Sequence, residues 1–141
     1  MFVTSIINPT FGIIDWTINE LKEIDIRIRK ILSMNASFHR NSDVDRLYIP
    51  RYLGGRGLKS VQSMYEARII SLKIHLEKNK ERNQIMNYIY HNEENNTNRV
   101  GQELIEKHNL QIDNQSKPRI VSRQYMKSIQ IRKRQPIMNQ K

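Results

Sequence analysis

The sequence holds no cysteine among its 141 residues. That excludes a disulfide scaffold, a thiolate metal site and a cysteine nucleophile, and it accords with a reducing, intracellular compartment. It has no run of about 18 apolar residues, so no membrane-spanning helix and no membrane partner are expected. The N-terminus has neither a charged leader region nor a long apolar stretch, so no secretory signal is readable. There is no phosphate-cradling loop ending in Lys-Ser/Thr, and no readable nucleophile–base pair. The four histidines, His39, His75, His91 and His108, are scattered without a second ligand one helical turn away. No metal and no cofactor are therefore expected. Nor is there an acidic residue anywhere in the last 28 positions.

What is present is positive charge. Lys and Arg number 24 against 14 Asp and Glu, a formal net charge of +10. Eight of the basic residues lie between Asn114 and Lys141, including the run Arg132-Lys133-Arg134. Such an excess calls for an anionic partner, and its spread beyond any one amphipathic helix favours nucleic acid over a membrane surface. Ile, Leu, Val and Phe together number 38. That is enough apolar content for part of the chain to build a core. The length allows one domain, or one small domain with a tail.

Helical patterns dominate. Thr17-Ile18-Asn19-Glu20 has the form of a capping box, with a Thr oxygen for the third amide and a Glu reaching back. Ile18, Leu21, Ile24, Ile28, Ile31 and Leu32 then recur every three or four residues, which predicts a helix to about Met34 with this stripe and Trp16 packed inward. Glu23–Arg27 and Asp25–Arg29 are spaced for ion pairs along it. Ser42 or the Asp43/Asp45 pair can cap one turn carrying Val44 and Leu47. Leu47 to Arg51 reads as extended, because Pro50 restricts Ile49, and Gly54, Gly55 and Gly57 suit a tight turn. A small β-hairpin or extended arm is expected over 47–58. Ser60 can cap a helix with Val61, Tyr65, Ile69, Leu72 and Leu76 on one face, breaking near Asn79. Two shorter helices are expected after it.

Three consecutive stretches follow: a broken apolar segment over 1–14, interrupted by Pro9 and Gly12 with nothing upstream to pack against; a helical domain over 15–112; and a basic tail over 113–141, expected to be poorly ordered. The fold class is mainly α, a small helical bundle. Within it, Arg40, Arg46, Arg51, Arg56 and Lys59 surround the glycine turn, with Tyr48 and Tyr52 interleaved. Arg forks suit phosphate oxygens and aromatic rings can stack on bases or sugars. Arg46, Arg51, Arg56 and Lys59 are the candidate nucleic-acid-binding residues, and Gly54, Gly55 and Gly57 shape the turn that presents them.

Phe11 to Trp16 (FGIIDW), Asp25, Arg29-Lys30, His39, DVDRLY over Asp43 to Tyr48, Pro50-Arg51 and GGRGL over Gly54 to Leu58 form one ordered series. It resembles the segment after the palm in reverse transcriptases of non-LTR retrotransposons, of the class whose Pol polyprotein carries a restriction-like endonuclease. The resemblance spans roughly half the chain and implies a thumb, a helical subdomain that packs on the palm and grips the template–primer duplex. It implies an RNA–DNA or duplex backbone as partner, the palm domain in an intact element, and a nuclear location if the chain acts as in such an element. Arg40 stands where that family has Pro, and Ser122-Arg123 where a later His-Gly is usual. The catalytic aromatic-x-Asp-Asp motif does not occur in this sequence, so no polymerase activity of its own is expected. The resemblance therefore implies a fragment of an RNA-directed DNA polymerase. Alternatives of other kinds are an independent basic helical nucleic-acid-binding adaptor and a translated relic without function.

Overall fold

The computed structural model describes residues 6–35, 43–92, 96–112 and 117–138, with the backbone alone for 134–138. His39, Arg40 and Ser42 lie outside the described residues. The protein is mainly helical, as its periodicity predicts. The helices are α1 (Ile18–Met34), α2 (Val44–Tyr48), α3 (Val61–Asn79), α4 (Gln84–His91), α5 (Asn96–Lys107) and α6 (Pro118–Met138), and no strand forms among the described residues. No described helix is long and apolar enough to cross a membrane. The chain groups into two compact units: Met1–Asp15 with Tyr65–Met126, and Trp16–Met64 with Lys127–Lys141. This grouping cuts across the three consecutive stretches read from the sequence.

In the first unit, α3 supplies Tyr65, Ile69, Ile70, Ile74 and Leu76 to the core, α5 supplies Leu104 and Ile105, and α6 supplies Val121 and Tyr125. The N-terminal segment is broken by a 3₁₀ turn at Asn8–Thr10, where Pro9 sits. It does find a partner, however. Phe11 is buried and packs edge-on against Tyr65, ring centroids 5.4 Å apart. Ile6, Ile13 and Ile14 remain exposed. α3 stops at Asn79 as its sequence suggests, and Asn83 caps α4 by accepting from the Ile85 amide at 2.9 Å.

A deeper departure concerns the basic tail. Residues 118–138, expected to be poorly ordered, form α6. Pro118 occupies its first position, where the missing N–H costs nothing. Val121 and Tyr125 lie four residues apart on one face and are fully buried. Charge and proline content concealed this pair, whose burial offsets the entropy of ordering the turn between them.

The second unit begins with the capping box read from the sequence. Thr17 Oγ1 accepts from the Glu20 amide at 3.3 Å, and the Thr17 amide donates to Glu20 Oε2 at 2.8 Å. These bonds, the backbone one foremost, hold the Glu20 carboxyl below its ordinary value. Of the predicted α1 stripe only Leu21 is fully buried, and Ile18 and Ile31 are exposed. The most enclosed line is instead Leu21, Asp25, Ile28 and Leu32, with a carboxylate in the middle. Asp25 does not serve as an ion-pair residue for Arg29. Its Oδ2 accepts from the Ser60 hydroxyl at 2.7 Å and the Gln62 amide at 3.4 Å, and its Oδ1 accepts from the Val61 amide at 2.9 Å. Ser60, expected to cap α3 with its own oxygen, donates to a carboxylate from another helix. An anion at a helix N-terminus satisfies two orphan amides and the helix dipole together, which is what makes burying Asp25 tolerable.

Candidate nucleic-acid interface

Segment 43–60 in the second unit carries the predicted site. Asp43 caps α2, its carboxylate accepting from the Asp45 amide at 3.0 Å. Leu47, Tyr48 and Ile49 are buried. After Pro50 the chain makes a 3₁₀ turn over Arg51–Leu53 that ends at Gly54, which has φ +83°. The chain then doubles back. The amides of Arg56, Gly57 and Leu58 donate to the carbonyls of Arg46, Ile49 and Leu47 at 3.0, 2.8 and 2.8 Å. Of the two forms expected over 47–58, an extended arm or a β-hairpin, the hairpin does not form, and the arm is built of a helix and a turn. The outgoing limb of a hairpin would be extended, whereas residues 44–48 are helical and only their carbonyl end meets the returning chain.

The glycines serve distinct purposes. Gly54 adopts a left-handed conformation that side chains resist. Gly55 lies so close to the Ile49 carbonyl that a Cβ would sit 2.0 Å from its oxygen. Gly57, with φ +72°, turns the chain back toward Ile49. Gly55→Ala is expected to cost about 2 kcal/mol, because backbone must move to admit the methyl. Gly54→Ala, with open space around its Cβ, is expected to cost about 1 kcal/mol from φ alone. Urea unfolding followed by Trp16 fluorescence measures both, and a neutral Gly55→Ala would contradict the close approach.

Arg46, Arg51, Arg56 and Lys59 are all exposed. Two are steadied by the turn itself: Arg46 Nε donates to the Gly54 carbonyl at 3.5 Å, and Arg51 Nε donates to the Arg56 carbonyl at 3.3 Å. Each contact uses one of the five N–H donors on a guanidinium, so the fork at its end remains available to phosphate oxygens. Tyr52 is 81% exposed and can stack on a base or sugar. Tyr48, read from the sequence as a second stacking ring, is buried and structural. Its hydroxyl accepts from Arg29 Nη1 at 3.0 Å, and burial pushes the phenol above its ordinary value.

One contributor to this arm was not legible locally. Lys133, from the basic run of α6, places Nζ 4.1 Å from the centroid of the Tyr48 ring. Burial holds its ammonium below the usual lysine range. A buried aromatic face beneath an ammonium is a cation–π contact, and it ties one tail charge into the arm. No spacing in the sequence signals this, because the two residues are 85 positions apart. Among the described residues no group of three or more His, Asp or Glu is arranged to hold a metal ion. Comparison with known protein families, curated proteins and solved structures finds no match.

Proposed function

We propose that this chain grips the phosphate backbone of a nucleic-acid duplex, as the thumb-like part of a non-LTR retroelement reverse transcriptase does. The observation that carries the reading is the arm: four exposed cations on one glycine-shaped turn, two of them held by turn carbonyls. Forks so steadied lose less freedom on meeting phosphate. The one helix of the arm, α2, is five residues long and buries Leu47 and Tyr48, and a helix so short suits backbone contact without base readout. The residues that carried the resemblance support the reading in a second way. Asp25, Arg29, Tyr48 and the glycine turn hold the arm in shape, which gives their joint occurrence a mechanical purpose. In this reading the chain performs no chemistry, and the palm of the polymerase is its structural partner.

The test is binding of the full chain to an RNA–DNA hybrid across a salt series. The triple variant Arg51→Ala/Arg56→Ala/Lys59→Ala is expected to reduce the magnitude of the log–log salt slope by about 3, as three lost phosphate contacts require. An unchanged slope would remove the arm from the interface. The second reading, a basic helical adaptor, is favoured by the exposed Arg123, Lys127 and Arg132 of α6. It predicts the same loss of slope from alanines at those three positions instead.

A further inference from the structure

Two cavities in the first unit differ in charge balance. One, of about 650 Å³, is lined by Lys73, Lys78 and Lys80 but also by Glu77 and Glu81, so most of its positive charge is offset. The other, of about 570 Å³, lies where α3 meets the start of α6. Arg68, Ser71 and His75 line it from α3, Lys117 just before α6 and Arg119 in its first turn, with no acidic side chain among the described residues of its wall. Among the described residues no ion pair engages Arg68, Lys117 or Arg119. Three exposed like charges around one groove repel in the absence of an anion. Leu72, Pro118 and Ile120 add an apolar part to the same wall, and Ile120 is half-exposed.

We infer that this groove is a nucleotide site. Arg68, Lys117 and Arg119 take a phosphate of a single-stranded nucleic acid, and the attached sugar and base lie over Ile120 and Leu72. The volume is in the range of small-ligand sites, and the division into charged and apolar lining matches a nucleotide's own division. The arm of the second unit presents its exposed cations around a turn, which suits backbone phosphates. The inference does not rest on the thumb reading, since no arm residue lines the groove.

The experiment is an amide NMR titration of the full chain with a 5′-phosphorylated dithymidine dinucleotide, with inorganic phosphate as the second probe. Saturable shifts are expected at Ser71, Leu72 and Ile120. The Arg68→Ala/Arg119→Ala variant should bind the dinucleotide about tenfold more weakly or worse, for two lost charge-assisted hydrogen bonds. Both arginines are exposed, so the variant should retain its far-UV circular dichroism. Inorganic phosphate should shift the same amides with at least about tenfold lower affinity, since it leaves the apolar wall uncovered. The arm variant Arg51→Ala/Arg56→Ala/Lys59→Ala should bind the dinucleotide as the native chain does, which separates this site from the duplex interface. Unsaturated shifts spread over all exposed basic residues, equal affinity for inorganic phosphate, or native binding by the Arg68/Arg119 variant would each overturn the inference.

Discussion

Asp25→Ala is expected to lower the unfolding free energy of the second unit by about 4 kcal/mol, the largest effect of any single change in α1. The carboxylate is 6% exposed and accepts from the Ser60 hydroxyl and the amides of Val61 and Gln62. Alanine would leave those donors facing a void, and α3 would lose the anion at its N-terminus. Asp25→Asn keeps the shape but neutralises the charge and replaces one acceptor with a donor, so about 2 kcal/mol is expected. Ser60→Ala, which leaves both amide bonds in place, should cost about 1 kcal/mol. Trp16 is the sole tryptophan and belongs to the same unit as Asp25, so urea unfolding read by its fluorescence ranks the three variants. An Asp25→Ala midpoint close to native would mean that the carboxylate does not cap α3. The arm depends on the same anchorage, so on the proposed duplex-gripping reading Asp25→Ala should also weaken duplex binding although no arm cation has changed.

Tyr125→Ala is expected to destabilise the first unit by about 4 kcal/mol, the cost of emptying an aromatic site in a packed core. Its ring is fully buried, stands edge-on to His108 at 4.9 Å, and its hydroxyl donates to Glu66 Oε2. His108 Nε2 lies 4.0 Å from the same oxygen, and all three side chains are buried. Tyr125→Phe keeps the packing and removes one donor from a buried carboxylate, so about 2 kcal/mol is expected. The first unit has no tryptophan, and amide hydrogen exchange across α3 and α5 is the suitable measurement. Native-like protection in Tyr125→Ala would mean that α6 is not docked on this unit, as the charge of the tail alone suggests. The same contacts bear on how the basic tail is tested. Deleting residues 114–141 would remove Val121 and Tyr125 along with eight cations. Lost binding after that deletion would report a damaged core as readily as a missing ligand contact. Alanine at exposed cations is the cleaner operation.

How much of this was legible in the sequence varies by element. The capping box at Thr17 and Glu20 formed as read, as did the Asp43 cap, the end of α3 at Asn79 and the left-handed turn at Gly54. Each depends on partners within four residues or on a single backbone angle, so a short window contains the whole cause. The exposure of Arg46, Arg51, Arg56 and Lys59 was also legible, because long charged side chains beside a turn stay in water.

The misread residues share a different property. Asp25 has the spacing of a surface ion-pair residue and becomes a buried cap for a helix that starts 36 residues later. Tyr48 sits among arginines like a stacking ring and becomes an arm's internal support. Tyr125 lies in a strongly basic stretch and becomes the core partner of Glu66, 59 residues away. For each, the deciding interaction joins groups from different helices, and its free energy exists only once those helices have packed. Periodicity and propensity established that these helices form and roughly where they end. Tertiary packing decided which polar side chains they bury, because a buried donor or acceptor is tolerable only where another element supplies its partner.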